Sequence, residues 1–481
     1  MIETVFHTSE NNNTYLYDDQ QRLSMLVHPN IVKVHEFSEN IDSYYTAKYS
    51  YLKKHGLFSK PTKINFKTTI SESMVEESII RSHQIVFEVT DMCNLECTYC
   101  VLGDFYTGFE RQNSKNIDIH SAIKLLKYVF NLKIKNNKDK LTISFYGGEP
   151  LLNISFIEKI VKFISELNRE KKIDVTYNMT TNGVLINRYI LFLVENQFDL
   201  LISLDGNERN DSHRVYRKSK KNSFHQVIQN LDMIQVNFPT YFNNHIHFNA
   251  VLHDRNSVKE IYEFIFNKFH KIPQISELAL GNIKPGKEHS FNKIFNHKRS
   301  SENKFLKEDS NLTVLAHKEL SSFRESTEFL KYYSINYFVS NITSLIHEDE
   351  IYYPTNTCMP FSKKIFLTNQ NKLLPCEKLN HKYSLGEVNE NVNLNISEIT
   401  KRFNSYYEHL QIFCQNCYIH RFCGMCMFCI ENLNELNTEK FVCNIFHDKK
   451  AFKKKMHRVF SFLEKYPSDI IEILENVVIT S

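Results

Sequence analysis

The sequence predicts an α/β fold, and three observations carry that prediction. Between Ile85 and Leu280, six strand-length apolar runs alternate with segments of helical period, which implies parallel βα units. Glycine is scarce, 11 in 481 residues, against an average near 7%, and four of those retained follow predicted strands, in Tyr146-Gly147-Gly148-Glu149-Pro150, Thr181-Asn182-Gly183 and Asp205-Gly206. All eleven cysteines fall in two groups, 93–100 and 358–443. The architecture expected is a βα array with a small N-terminal α+β module before it and a cysteine-rich domain after it.

In order, residues 1–80 hold a hairpin of Thr14–Asp18 and Arg22–His28 around Asp18-Asp19-Gln20-Gln21. A third strand is expected over Ile31–Phe37, a helix over Tyr44–Lys54 and an extension over Leu57–Phe66. The array, residues 81–340, pairs strand Ile85–Val89 with helix Ser121–Leu132, Leu141–Phe145 with Ile154–Leu167, and Asp174–Met179 with Asn187–Asn196. Leu200–Leu204 is followed by Ser223–Ile234, Ile246–Leu252 by Ser257–Phe269, and Ile275–Leu280 by a helical stretch near 317–331. The run from Gly286 to Asn311, rich in Ser, Asn, Lys and His, reads as a mobile surface insertion. Residues 341–450 form the cysteine-rich domain and 451–481 a helical segment. There, Lys449, Lys450, Lys453, Lys454 and Lys455 share a helix with the apolar Phe452, Val459, Phe460 and Leu463. A solvated basic face explains the lysines; a docking surface for an acidic peptide is the alternative.

A hydrophobic content of 42% is ordinary for a globular chain, and a formal charge of +4 argues against general nucleic-acid affinity. No apolar run of membrane-spanning length and no signal peptide is evident, so the cytoplasm is the expected compartment and no membrane partner is expected. In that reducing compartment, grouped cysteines read as metal or cluster ligands rather than disulfides.

The chain is organised around Cys93-Asn94-Leu95-Glu96-Cys97-Thr98-Tyr99-Cys100, at the end of the first strand of the array. Three thiolates spaced C-x3-C-x2-C can hold three irons of a [4Fe-4S] cluster and leave the fourth open. A zinc site is the competing reading, but structural zinc takes four ligands and no fourth lies close by.

This spacing, with aromatic Tyr99 before the last cysteine, resembles the radical SAM enzymes. The resemblance implies a partial (β/α)6 TIM-like barrel whose Cys93, Cys97 and Cys100 ligate a [4Fe-4S] cluster. The open iron would bind S-adenosylmethionine, and reduction would yield a 5'-deoxyadenosyl radical that abstracts hydrogen. By the same resemblance Gly147, Gly148, Glu149 and Pro150 contact the cofactor's amino group. Asn182, Gly183, Ser203 and Asp205 line the cofactor, and Arg214 stands where relatives carry an arginine able to meet a carboxylate. Each of the latter residues reads equally as a cap or turn residue.

The second field, Cys358, Cys376, Cys414, Cys417, Cys423, Cys426, Cys429 and Cys443, holds eight thiols, the number two fully ligated [4Fe-4S] clusters need. Its layout resembles the SPASM domain of radical SAM enzymes that act on peptides and proteins. That resemblance gives Cys414, Cys417, Cys423 and Cys443 to an outer auxiliary cluster. It gives Cys358, Cys376 and one or both of Cys426 and Cys429 to an inner one. Asn371 replaces a family glycine, and C-x2-C-x2-C replaces the usual C-x3-C step. Zinc-ribbon spacing is the competing reading here. Glu377, next to Cys376, stands where sulfatase-maturing relatives place a proposed catalytic base; an exposed loop acid is the bland alternative.

The function expected is hydrogen abstraction from a ribosomally synthesised precursor peptide, giving a crosslink, an epimer or an oxidised residue, with electrons from a donor such as flavodoxin or ferredoxin. Residues 1–80 either grip the leader of that peptide or form a lid. An anaerobic sulfatase-maturating, formylglycine-forming enzyme is the first alternative. A non-catalytic iron-sulfur protein that binds peptide is the second.

Overall fold

The computed structural model describes residues 2–108, 115–170, 172–308, 320–334 and 352–468 apart from 437 and 439, together with 471. Contacts divide the chain into two units. One is drawn from residues 70–310 and 358–402, the other from 1–69, 311–357 and 403–481.

The first unit is built on a ten-stranded sheet in which the six strands on one side, out to the edge, follow chain order. They are β4 (Gln84–Thr90), β5 (Lys140–Gly147), β6 (Asp174–Thr181), β7 (Asp199–Ser203), β8 (Ile246–Leu252) and β9 (Gln274–Glu277). All five pairings among them are parallel. Parallel neighbours need crossovers, and the sequence supplies amphipathic helices between them. The helix Ile154–Leu167 turns Phe156, Ile157, Ile160, Val161 and Ile164 inward at the expected spacing. Asp118 caps the helix Ile119–Lys135 by accepting from the amides of His120 and Ser121. The order and direction of these strands are those of a (β/α)6 array.

Beyond β4 the sheet continues through β10 (Ile365–Leu367), parallel to it, and then antiparallel through β11 (Lys372–Leu374), β12 (Gly386–Val388) and β13 (Val392–Asn393). Residues 358–402, grouped by sequence with the cysteine-rich domain, therefore share a sheet with the βα array. The run after β9 is not an unstructured insertion: helices Glu288–Ile294 and Lys298–Glu308 occupy it, and Phe291, Ile294 and Phe305 are buried.

In the second unit β1 (Val5–Thr8), β2 (Thr14–Asp18) and β3 (Leu23–Leu26) form an antiparallel sheet. The strand expected over Ile31–Phe37 is instead the helix Pro29–His35, because Pro29 sits in its first turn and His28 caps it by accepting from the amide of Asn30. The helix Ser321–Tyr332 belongs to this unit rather than to the βα array; residues 317–319 of the expected stretch lie outside the described residues. It packs against the helix Lys449–Lys465 in a core of Tyr17, Phe329, Tyr333, Phe452, Met456 and Phe460. The expected boundary at 341 also lies outside the described residues. No helix among the described residues is long and apolar enough to cross a membrane.

Candidate active site

The loop that carries Cys93, Cys97 and Cys100 leaves the end of β4 and is clamped along its length to residues 213–217. The amides of Glu96 and Thr98 donate to the carbonyls of Val215 and His213, Arg217 N donates to Asn94 O, and Leu95 is buried. None of the three thiols is in a disulfide, and each is partly accessible. A loop too polar to pack on its own is thus fixed by backbone hydrogen bonds.

The Gly-Gly-Glu-Pro loop after β5 is stapled to this one. Gly148 N donates to Thr90 O at 2.7 Å and Glu149 N to Met92 O at 2.8 Å. Both glycines are required by this approach: a Cβ on Gly147, whose φ is +130°, would lie 2.3 Å from Thr90 O, and one on Gly148 2.0 Å from Met92 O. Glu149 is fully buried and its carboxylate is taken up by the protein. It accepts from Leu151 N at 3.2 Å, Thr181 Oγ1 at 2.8 Å and Asn182 N at 2.8 Å. Burial pushes this carboxyl up to about 7 against the bonds from Asn182 and Thr181. Pro150 opens the short 3-10 turn that Glu149 caps. Asn182 in turn donates from Nδ2 to Asn94 Oδ1 at 2.8 Å and to Cys93 Sγ at 3.6 Å.

Ser203 ends β7 half-buried, and Asp205 just beyond it is the hub of a buried polar network. Asp205 accepts from the Tyr99 hydroxyl, from Val251 N at 2.9 Å and from Arg214 Nε at 3.2 Å. Burial pushes its carboxyl up, but Arg214, His253 and Tyr99 together hold it below the usual range. Arg214 also donates from a terminal nitrogen to Cys97 Sγ at 3.8 Å. His253 stacks on Tyr99 with centroids 5.5 Å apart. Tyr99 of the cysteine loop is thereby brought together with Asp205 and Arg214. His253 escaped sequence reasoning; its signal was its position one residue after the strand Ile246–Leu252.

A cavity of about 440 Å³ opens among the strands, lined by Gln84, Ser144, Asn178 and His247 with Tyr146, Lys364 and Glu377. Glu377 faces Lys364 with both oxygens, at 3.1 and 3.0 Å. Tyr146, half-buried beside them and within electrostatic reach of Cys100, has its phenol pushed up by desolvation and then by Glu377. Neither Lys364 nor Tyr146 stood out as a single residue in the sequence, because nothing local marks an inward-facing side chain of a barrel-like sheet.

Cys358 and Cys376 lie in this same unit, and the other six cysteines of the second field lie in the second unit. There, Cys414, Cys417, Cys423 and Cys443 line one enclosed cavity walled by Leu410, Phe413, Ile430, Phe441 and Phe446. Cys426 and Cys429 share a tight turn, Cys429 N donating to Cys426 O at 2.9 Å.

A three-thiol loop with no disulfide among its cysteines, and with hydrogen-bond donors around its sulfurs, fits a [4Fe-4S] cluster with one iron unligated by protein. Residues 87–265 match the family model of the Radical SAM superfamily. This stretch is a radical SAM domain.

Among relatives of the domain, the radical SAM cyclopropyl synthase TigE of Paramaledivibacter caminithermalis is 32% identical over 180 residues, 36% of this chain and 35% of its own. The cysteine-type anaerobic sulfatase-maturating enzyme of Clostridium novyi is 34% identical over 146 residues, 30% of this chain and 37% of its own. The matches thus span little more than a third of either relative. The solved structure of anSMEcpe with bound AdoMet and the Kp18Cys peptide is 18% identical. It covers 82% of this chain and 99% of its own with a TM-score of 0.55, a likeness of fold.

Proposed function

We propose that this chain is a radical SAM enzyme that modifies a peptide made on the ribosome, by hydrogen abstraction leading to a crosslink, an epimer or an oxidised residue. The observation that carries the reading is Tyr146, which lines the polar 440 Å³ cavity and at the same time lies beside the cysteine loop through the Gly-Gly staple. A substrate residue seated at the Tyr146 end of that cavity would lie toward the cysteine loop. A relative named as a sulfatase-maturating enzyme, and the peptide bound in the anSMEcpe structure of like fold, support the substrate class.

Cys93, Cys97 and Cys100 would hold the cluster. When bound, the cluster and S-adenosylmethionine supply the 5'-deoxyadenosyl radical that abstracts hydrogen. The chain's own residues position and shield. Gly147 and Gly148 let the backbone of the second loop close on the first, and Glu149 locks that loop to β6. The stacked Tyr99 and His253, with Arg214 and Asp205, fix the far side of the cysteine loop. In the cavity a proton removed from the substrate residue would pass to a Glu377 oxygen, with the Lys364 ammonium holding the carboxylate in place. The cavity of Cys414, Cys417, Cys423 and Cys443 is the proposed seat of the outer auxiliary cluster. Cys358, Cys376 and one or both of Cys426 and Cys429 keep the inner one by resemblance alone. A flavodoxin or ferredoxin in a reducing cytoplasm is the proposed electron source.

The test is anaerobic. The reconstituted chain is assayed for iron, sulfide and, with dithionite and S-adenosylmethionine, 5'-deoxyadenosine. About twelve irons per chain, with cofactor cleavage abolished by Ala at Cys93, Cys97 and Cys100 together, is the expected result. A fully loaded chain that cleaves nothing would instead make it a non-catalytic peptide binder. Conversion of a sulfatase-derived cysteine peptide to formylglycine would favour the maturase alternative that the Clostridium novyi relative suggests.

A further inference from the structure

The cavity that holds Tyr146 and Glu377 is built on one face of the parallel sheet, and that face is largely polar. Leu141 and Ile143 of β5 and Leu200 and Ile202 of β7 are buried, while Ser144, Tyr146 and Asp199, at the alternate positions, line the cavity. A parallel sheet covered by its own chain on both faces reads as a near-continuous apolar run, and the inside of a closed barrel is a packed core of branched residues. Here the inner face instead encloses about 440 Å³, a volume ordinary for a ligand site.

Register sets the wall in two tiers. Ser144, Asn178 and Asp199 stand side by side, and Thr180 and Leu201 stand two residues further along β6 and β7, beside His247. The second tier is thus about 7 Å nearer the strand ends from which the cysteine and Gly-Gly-Glu-Pro loops leave. Gln84 Nε2 donates to Ser144 Oγ at 2.6 Å, but the side chains of Asn178, Thr180 and Gln274 bond to no described residue. The charged groups already have partners: Lys364 faces Glu377, and Asp199 Oδ1 meets His245 Nδ1 at 2.7 Å. Burial, then Lys271, holds the His247 ring below its ordinary value and so toward the neutral form. Gly147, Gly148, Asn182 and Ser203, which the family resemblance gives to the cofactor, do not line this cavity. What the wall leaves on offer is neutral hydrogen bonding.

We infer that the cavity selects a target residue whose side chain ends in a carboxamide, Asn or Gln. The inference rests on the peptide-modifying reading above and names the class of residue that reading leaves open. A carboxamide brings two donors and an acceptor to the amides of Asn178 and Gln274 and the hydroxyl of Thr180, and its short methylene stem would pass Val86 and Leu201. An apolar side chain of the same shape would displace water from those groups and leave them without partners. A carboxylate or an ammonium would be desolvated against charges that are already paired. With the amide held on the inner tier, the backbone and first carbons of the target residue lie at the Tyr146 end of the cavity, toward the cysteine loop.

The test uses the reconstituted full chain and anaerobic ligand-observed NMR titrations. The probes are end-blocked pentapeptides Gly-Ala-X-Ala-Gly with Asn, Gln, Leu, Glu or Lys at X. The Asn or the Gln peptide is expected to bind about tenfold more tightly than the Leu peptide, and more tightly than both charged peptides. Asn178→Leu and, separately, Thr180→Val each exchange a polar wall group for an apolar one of similar shape, and each should narrow or reverse that preference. Because the wild-type ranking is read without any substitution, a variant that fails to fold does not decide the matter. Equal binding of the Asn, Gln and Leu peptides, tighter binding of a charged peptide, binding of no probe, or a preference that survives both substitutions would overturn the assignment. Cleavage of S-adenosylmethionine with dithionite is followed in the same preparations. A chain that cleaves the cofactor but shows no preference overturns this inference alone, whereas an intact preference without cleavage supports the carboxamide site and removes the radical reading.

Discussion

Arg214 donates to the Sγ of Cys97 at 3.8 Å from a guanidinium whose Nε is held 3.2 Å from Asp205. Arg214 and Asp205 thus sit against the cysteine loop, and both charges are buried, with side-chain exposures of 8% and 0%. Removing one partner strands the other. Arg214→Gln is expected to cost about 3–5 kcal/mol in urea unfolding, and Asp205→Asn a comparable amount. The double variant should lose clearly less than the sum of the two. Additive losses would show that the pair does not act as a unit. In the reconstituted protein, losing a cationic donor to a cluster thiolate should lower the cluster's midpoint potential in an EPR-monitored titration.

Gly148 is where two loops meet, and a single methyl group tests that junction. A Cβ there would fall 2.0 Å from Met92 O, a backbone atom that can move only with the cysteine loop. Gly148→Ala should cost about 1–3 kcal/mol in thermal or urea unfolding and lower the iron bound at the cysteine loop. Gly103→Ala is an informative partner, since its Cβ would meet Cys100 O at 2.8 Å on the same loop. An unchanged iron content in the Gly148 variant would mean the two loops are positioned independently.

The parallel array was legible because period and punctuation agreed. The helix Ile154–Leu167 and the strand Ile246–Leu252 have the limits the pattern assigns them, and the cysteine spacing marks the loop beyond β4. What escaped was set by tertiary context. Val5–Thr8 is too short to stand out before its hairpin partner is known, and Ile31–Phe37 has strand-like composition but yields to the cap at His28 and Pro29. The register that puts β10 beside β4 depends on contacts 280 residues apart in sequence, Ile365 opposite Ile85. The site shows the same division. The motif residues could be named from the sequence, but the use of Glu149 as a lock and the meeting of Lys364 with Glu377 depend on which face each strand turns inward.

Two buried carboxyls give the protein a pH dependence of stability. Burial raises both Glu88 and Glu149 to about 7 from an ordinary 4.5. Their protons are held by the folded state and released by the unfolded one, so the contribution is fully present below about 4.5 and is lost as the pH rises through 7. Urea midpoints should therefore fall between about pH 5 and pH 8. Glu149→Gln removes one of the two titrations and should flatten that fall. At pH 8 it exchanges a charged acceptor for an amide facing three donors, at a cost of about 1–3 kcal/mol. A slope unchanged in both Glu149→Gln and Glu88→Gln would remove these carboxyls as its source.

The N-terminal hairpin is tied to the cysteine field by one buried acid. Asp19 accepts from Arg421 Nε at 2.8 Å and from the Tyr17 hydroxyl at 2.7 Å, and His420 Nε2 lies 3.5 Å away. Arg421 also donates to the Asp19 carbonyl at 2.5 Å and stands two residues before Cys423. Asp19→Asn leaves a buried guanidinium facing a neutral amide, and the expected cost is about 3–5 kcal/mol. Because the hairpin holds Arg421 and His420, which precede Cys423 in the chain, this loss should appear in two separate readings. The unfolding midpoint should drop, and iron bound after reconstitution should fall while the Cys93, Cys97 and Cys100 signal with S-adenosylmethionine is retained. Asp19→Glu, which keeps the charge, should recover part of the midpoint. If the midpoint drops but the full iron content persists, the pair stabilises the unit without shaping the cavity of Cys414, Cys417, Cys423 and Cys443.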